Sequence, residues 1–140
     1  MPLLPVLDRF LEAQEPVWPR VLAELKAGEK RSHWMWFVFP QMKGLGHSEM
    51  AARYAIQSRS EAIAYLGHPI LGSRLREVCN ALLALQGLSA YEILGSPDDL
   101  KLRSSMTLFS EVSGPGDVFD AVLEKYFDGD KDARTLALLG

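Results

Sequence analysis

The sequence predicts an all-α fold, a single compact domain of about seven or eight short helices with irregular packing and little or no strand. Helix start and stop signals recur along the chain, and the apolar residues between them follow helical spacing. The one stretch with strand propensity, WFVF at 36–39, has no second strand with which to pair. Because the 140 residues contain no linker or repeat, we take 1–140 as one domain.

Proline and glycine positions predict the first two helices. Apolar residues at helical spacing indicate one helix over residues 7–15 and another over 18–28. Pro16 separates them, and Gly28 is a good C-terminal stop. The chain therefore begins with two short helices.

The aromatic stretch that follows predicts a third helix. Ser32 is its expected N-cap, and Pro40 must end it, because the residue before a proline disfavours helical geometry. A helix over 33–40 is apolar nearly all round. We therefore expect it to be buried at the centre of the fold.

Serine and aspartate mark the starts of the remaining helices, because their side-chain oxygens accept hydrogen bonds from the first free N–H groups. The predicted caps are, in chain order, Ser48, Ser60, Ser89, Ser96, Asp117 and Asp130. A longer helix is expected over the run ILGSRLREVCNALLALQG, residues 70–87, with Pro69 in its first turn, and His68 before it is expected to be a turn or capping residue. These signals leave only short connections between helices.

The composition excludes some classes of function. The formal net charge of −3 argues against general nucleic-acid binding, which needs a strongly basic face. The single Cys79 cannot form an internal disulfide and fits a reducing compartment. The N-terminus lacks the features of a signal peptide, and the run WMWFVFP is far too short to span a membrane. We expect a soluble, cytoplasmic protein with no membrane contact.

The stretch KRSHWMWFVFPQMKGLGHS, residues 30–48, is the first candidate site. A buried indole N–H requires a hydrogen-bond partner, so packing alone does not explain two tryptophans so close together. They could instead stack a planar ring, while basic side chains hold an attached phosphate. The residues proposed to contact such a ligand are His33, Trp34, Trp36, Gln41, Lys43 and His47. The alternative is an aromatic core whose polar edges are satisfied internally.

The helix beginning near residue 98 is the second candidate site. Lys101, Ser104 and Ser105 share one helical face, with Asp99 in the first turn. An ammonium and two hydroxyls suit contact with a phosphate or ribose. Equally, Asp98 or Asp99 could pair with a nearby cation while the serines bond to carbonyls four residues earlier. The sequence does not decide between these interpretations.

The sequence predicts no metal site and no cofactor. The three histidines lack the i, i+4 spacing of a helical metal site, and one cysteine cannot complete a thiolate cluster. GLGHS lacks the third glycine and the Lys-Ser/Thr of known phosphate loops. Catalytic residues are unknown, and whether the protein is an enzyme stays open. If chemistry occurs, His33, Glu49 and Asp99 are the acid/base candidates.

Three motifs carry a family resemblance: KRSHWMWFVFPQMKGLGHSEMAARYAI, EAIAYLGHPILGSRL and GSPDDLKLRSSMTLF. With them the chain resembles, from about residue 7 to 139, the uncharacterised bacterial family called domain of unknown function 1810. The resemblance implies a compact all-helical domain but no mechanism. Members are sometimes labelled calpastatin, which implies calpain inhibition. Such an inhibitor is expected to be an extended chain that folds on its target, unlike this sequence.

Two function hypotheses follow. The first is a domain that binds a small ligand with a planar ring or a phosphate, similar to a nucleotide or ADP-ribose, between segment 33–47 and helix 98–105. This domain could be a hydrolase, since the order of its helices is similar to that of small helical proteins that act on NAD- or ADP-ribose-derived molecules. The second is a non-enzymatic protein-interaction module with an aromatic core and no ligand site, whose C-terminal third, acidic over residues 111–132, meets a basic partner.

Overall fold

Ten helices and the short turns between them form residues 7–140, which are the residues that the computed structural model describes. In chain order they are α1 (Asp8–Gln14), α2 (Trp18–Ala27), α3 (Met35–Val38), α4 (Glu49–Arg53), α5 (Arg59–Gly67), α6 (Leu71–Ala84), α7 (Ala90–Leu94), α8 (Asp98–Ser113), α9 (Val118–Phe127) and α10 (Ala133–Leu139). A single parallel bridge between Met42 and Ile56 is the β pairing in this part of the chain. The all-α prediction is confirmed.

The number of helices is slightly higher than the seven or eight expected. Three of the ten, α3, α4 and α7, have only 4 or 5 residues. A single turn contains too few residues to show helical periodicity clearly in a sequence. The additional helices therefore extend the predicted architecture without changing it.

Three of the predicted helix caps are confirmed. The side chains of Ser48, Ser89 and Asp117 accept hydrogen bonds from backbone N–H groups at the starts of α4, α7 and α9. Ser89 also completes a capping box with Glu92, whose carboxylate accepts from the Ser89 N–H. His68 lies two positions before Ile70, the N-cap residue of α6, and its Nδ1 accepts from the N–H groups of Ile70 and Leu71.

The other cap predictions were wrong. Ser58 caps α5 in place of Ser60, and Asp132 caps α10 in place of Asp130. No side chain caps α8, where Pro97 and not Ser96 is the N-cap residue. Ser32 does not cap α3, because its hydroxyl donates to Glu24 instead. For α3, α5 and α10 a neighbouring polar residue or a tertiary contact competed successfully with the local signal.

Helix α8 is the centre of the domain, since α5, α7, α9 and α10 all pack against it. Its predicted apolar face, Leu102, Met106 and Phe109, is fully buried. Phe109 packs on Tyr65 of α5 and on Phe119 of α9, with ring centroids 5.4 and 5.8 Å apart. This continuous set of rings joins three helices into one core.

The aromatic stretch belongs mostly to that core. Trp34, Phe37 and Phe39 are 1%, 7% and 1% exposed, whereas Trp36 is half-buried. Burial at the centre of the fold is thus confirmed for all but one of the stretch's aromatic rings. Trp36 is left free to form part of a surface cavity.

One glycine sets the distance between α5 and α6. A Cβ on Gly72 would lie 2.1 Å from the backbone oxygen of Leu66, so only glycine allows this approach. Within residues 7–140, no helix has the length and apolar character needed to cross a bilayer.

Candidate functional site

The loop after the aromatic stretch is fixed to the following segment by backbone hydrogen bonds. Gln41 O accepts from the N–H of Ile56 at 2.8 Å, and Lys43 N–H donates to Ile56 O at 2.9 Å. A Cβ on Gly46 would lie 2.5 Å from the Cβ of Ala51, so the loop also packs tightly on α4. These contacts hold residues 41–46 as one wall of a surface depression.

A cavity of about 410 Å³ lies on one side of this loop. Its largest rings are those of Trp36 and Tyr54, and small residues of α4 form another part of its wall. We call it the aromatic cavity. It is lined by Trp36, Gln41, Met42, Lys43, Gly44, Gly46, Ala51, Ala52, Tyr54, Ala55 and Gln57.

A second cavity of about 540 Å³ lies between the loop, the first turns of α8 and the start of α10. We call it the basic cavity, because three of its side chains are cationic and one is anionic. It is lined by Gln41, Leu45, Gly46, His47, Ser48, Ala51, Pro97, Leu100, Lys101, Arg103, Ser104, Asp132 and Arg134.

The two cavities adjoin, since Gln41, Gly46 and Ala51 line both of them. Lys101 links them further, because its Nζ lies 5.3 Å from the centroid of the Trp36 ring. We refer to the two cavities together as the cleft. Its size falls in the range of small-molecule sites.

The cations of the cleft differ in how strongly they are engaged. Arg103 is held by the carboxylate of Asp130 at 2.6 Å and by two backbone oxygens. Lys101 forms a looser pair with Asp98 at 3.4 Å. Arg134 donates to Gly44 O at 3.4 Å and has no carboxylate partner within residues 7–140. Among the three cations of the basic cavity, Arg134 and Lys101 are thus the most available to an anion.

Asp98 joins Lys101 to a second lysine beneath the cleft. Its other oxygen pairs with Lys30 Nζ at 2.9 Å, and Lys30 lies 5.2 Å from the centroid of the Trp34 ring. Each lysine therefore faces a tryptophan while sharing one carboxylate. This arrangement connects the aromatic stretch to the start of α8.

Glu24 fixes the buried side of the same network. Its carboxylate accepts from the indole N–H of Trp34, from the Ser32 hydroxyl, and from the backbone N–H groups of Arg31 and Ser32. Burial alone would raise the pKa of Glu24, but these hydrogen bonds outweigh it and lower the pKa from 4.5 to about 2. The indole that sequence analysis left without a partner is thus satisfied inside the core.

The structure brings six of the ten predicted ligand contacts into the cleft: Trp36, Gln41, Lys43, His47, Lys101 and Ser104. The other four, His33, Trp34, Asp99 and Ser105, line neither cavity. Trp34 and Ser105 are core residues, whereas His33 is exposed. Ser104 Oγ donates to Leu100 O, four residues earlier, which is the intrahelical bond that the alternative to ligand binding predicted for the serines. Ser105 Oγ is the one fully buried side-chain polar atom without a partner among the described residues.

Sequence analysis missed Tyr54, Arg103 and Arg134 as components of the cleft. Arg134 follows the acidic segment near the C-terminus, and no local motif connects it with residues 41–48. In the sequence, Tyr54 follows the pattern of an ordinary apolar position in a short helix, so nothing marks it as a cleft residue. Only the tertiary fold brings these residues together.

No metal site is found in the part of the chain that the structure describes: no three His, Cys, Asp or Glu side chains there are grouped to hold an ion. Cys79 is buried and unpaired, and burial raises the pKa of its thiol. The side chains of the cleft that can contact a ligand include aromatic, amide and cationic groups.

Comparisons with known proteins give a family and a fold. The family model described as "Protein of unknown function (DUF1810)" matches residues 5–139. The conserved hypothetical protein Rv1873 from Mycobacterium tuberculosis, known from a crystal structure, is 55% identical to the chain; the match covers 95% of each chain, with a TM-score of 0.93. No curated protein matches the chain.

Proposed function

Because the chain belongs to this family of proteins of unknown function, we propose its activity from the cleft: binding of a small ligand in which a planar ring is joined to a phosphate, as in a nucleotide or an ADP-ribose-like molecule. The observation that carries the proposal is that the aromatic and basic cavities adjoin. A ring and an anionic group of one molecule need these two environments side by side.

The aromatic cavity supports ring binding through Trp36. This is the one tryptophan of the stretch that is not buried in the core, and it lines the cavity. An indole face can stack on any planar heterocycle, and removing such a stacking partner typically costs about 1–3 kcal/mol. The ring of the ligand is expected to lie against Trp36.

The basic cavity supports phosphate binding through Arg134 and Lys101. A guanidinium binds phosphate oxygens with two parallel hydrogen bonds, and an ammonium adds a mobile charge. Arg134 also donates to the backbone oxygen of Gly44, which lines the aromatic cavity. A phosphate bound there would contact both α8 and α10.

Binding is supported better than hydrolysis. The three acid/base candidates, His33, Glu49 and Asp99, line neither cavity. His47 and Asp132 do line the basic cavity, but Asp132 already caps α10 through Thr135. We therefore propose a binding domain of the cytoplasm, with no general affinity for nucleic acids, and treat hydrolysis as a question that follows binding.

A second candidate function rests on a different observation. The stretch from Trp34 to Phe39 is mostly core, as the interaction-module hypothesis requires, and the segment 111–132 is strongly acidic. Such a segment suits a basic protein partner. The cleft does not enter this hypothesis, so ligand binding separates the two.

Thermal unfolding in the presence of AMP and of ADP-ribose tests the proposal. A ligand at about 100 times its Kd adds roughly 2.7 kcal/mol to the free energy of unfolding. We expect a concentration-dependent rise in Tm that weakens in Trp36→Leu and in Arg134→Gln, each by about tenfold in affinity.

Arg20→Gln is the matched control for Arg134→Gln, because Arg20 is exposed on α2 and lines neither cavity. It should bind like the unmodified protein. No rise in Tm with either compound, or a rise that both cleft variants retain in full, would refute the proposal and favour the protein-interaction hypothesis.

A further inference from the structure

Gln41 occupies the junction of the cleft. It is half-buried and lines both the aromatic and the basic cavity. Its backbone oxygen is engaged by Ile56 N–H, which fixes the position of the residue. The side-chain amide, by contrast, has no hydrogen-bond partner within residues 7–140.

Several other polar side chains of the cleft are already engaged. Gln57, the second glutamine of the aromatic cavity, donates to Ala55 O at 3.1 Å. Ser104 and Asp132 bond within α8 and α10. The amide of Gln41 is therefore an uncommitted donor and acceptor at the point where the ring would meet the phosphate-bearing half.

The donor and acceptor of the Gln41 amide limit which rings a ligand can place beside it. The amide offers one carbonyl acceptor and an NH₂ donor side by side, so it pairs with a ring edge that carries one donor next to one acceptor. Glutamine recognises adenine through this bidentate geometry. A ring stacked on Trp36 presents its edge, and not its face, to polar groups around it.

We propose that Gln41 is a specificity-determining residue that selects rings with a hydrogen-bond donor beside an acceptor, such as the amino group and adjacent ring nitrogen of adenine. The inference rests on the proposed function, because it requires a ring in the aromatic cavity. It excludes ligands whose ring carries acceptors alone.

The test compares two nucleotides that differ in one group. AMP carries the amino group beside a ring nitrogen, whereas purine riboside 5′-monophosphate has hydrogen in its place and keeps the ring and phosphate. Titration calorimetry should show that AMP binds about tenfold more tightly. In Gln41→Leu, which keeps a similar volume without the amide, the two nucleotides should bind equally.

Gln57→Leu is the matched control, since it removes an amide from the same cavity that is already bonded to Ala55. It should keep the tenfold preference. Equal binding of the two nucleotides to the unmodified protein, or a preference that persists in Gln41→Leu, would overturn the inference while leaving the proposed function intact. Failure of both nucleotides to bind would overturn both.

Discussion

Glu24 shows at the scale of one residue how a charge can be kept in a core. The residue is 9% exposed, and its carboxylate accepts four hydrogen bonds, of which one comes from the Trp34 indole and two from backbone N–H groups. Bonds to an ionised acceptor are roughly twice as strong as neutral ones. The position of Trp34, and with it the aromatic stretch, depends on this anion.

The lowered pKa of Glu24 predicts an acid-dependent loss of stability. The folded pKa of about 2 lies below the ordinary value of 4.5, so the unfolded chain takes up the proton first. The stabilisation is complete above pH 4.5 and is lost as the pH falls towards 2, by at most about 3 kcal/mol. In Glu24→Gln we expect a lower free energy of unfolding at pH 7 and a smaller fall of that free energy with pH. Urea unfolding between pH 7 and 2 measures both.

Glu77→Gln is the control for this prediction. Glu77 also accepts from an indole N–H, that of Trp18, but it is exposed and makes only this bond in the described part of the chain. Its acid profile should parallel that of the unmodified protein. If the Glu24→Gln profile were parallel as well, the four hydrogen bonds would not control the stability of this region.

The residues around Trp34 and Trp36 also explain why the sequence alone could not tell which of them belongs to the core and which to the cleft. Trp34 and Trp36 stand two positions apart in a stretch that is apolar on every side. Only the partners decide their roles: Trp34 bonds to Glu24 in the core, and Trp36 faces the cleft beside Lys101. Both had been predicted as ligand contacts.

At the scale of elements, the contact between α5 and α6 depends on the missing side chain of Gly72. Gly72→Ala would place a Cβ 2.1 Å from Leu66 O, a backbone atom that cannot rotate away. We expect a loss of about 3 kcal/mol in the free energy of unfolding, because a tightly packed contact must separate. Urea unfolding measures the change.

Gly67→Ala provides the comparison, since Gly67 ends α5 and a Cβ there would meet nothing within 4 Å. It should change stability by no more than about 1 kcal/mol, in the stabilising direction, as helix propensity predicts. Similar effects of the two substitutions would show that backbone entropy, and not the contact with Leu66, explains the role of Gly72.

The elements were the most predictable part of the molecule. The apolar face of Leu102, Met106 and Phe109 was predicted from spacing, and all three residues are fully buried. The all-α class can be predicted from such repeats of apolar residues, because their spacing depends only on the local geometry of a helix. Individual caps were less predictable, since Ser58 and Ser60 have the same chemistry and only the folded chain selects Ser58.

At the scale of the whole molecule, helix α10 is docked on α8 by a buried threonine. Thr107 Oγ1 accepts from the N–H of Asp132 at 2.9 Å, and Asp132 in turn caps α10. This contact places Arg134 at the basic cavity. The hydrogen bond that docks α10 on α8 therefore also determines where Arg134 lies in the proposed site.

Thr107→Val should weaken that docking without unfolding the core. Valine has a similar shape but leaves the Asp132 N–H without a partner, at a cost of about 1–3 kcal/mol. We expect faster hydrogen exchange in residues 132–139 and weaker AMP binding, while exchange in α5 and α6 stays slow. Ser113→Ala, which removes a hydroxyl from the end of the same helix, should leave α10 protected; equal protection of α10 in Thr107→Val would contradict this account.

The site as a whole was only partly predictable. Gln41, Lys101 and their neighbours lie in the motifs of the family, and the resemblance drawn from these motifs is confirmed. Arg134 lies outside these motifs and could not be found in this way, because the cleft combines segments far apart in the chain. Tyr54 lies inside the first motif, but the pattern there marks it only as an apolar position. Their juxtaposition depends on tertiary packing, which no local pattern records.

Because the three tryptophans differ in burial, the intrinsic fluorescence of the protein can report on the cleft. Trp18 and Trp34 are 9% and 1% exposed, so a dissolved quencher such as iodide has far less access to their rings than to that of Trp36. Trp36 is accessible from the cleft and lies beside the Lys101 ammonium. Most of the quenchable fluorescence therefore comes from Trp36, and its emission reports whether the cleft is occupied without any attached dye.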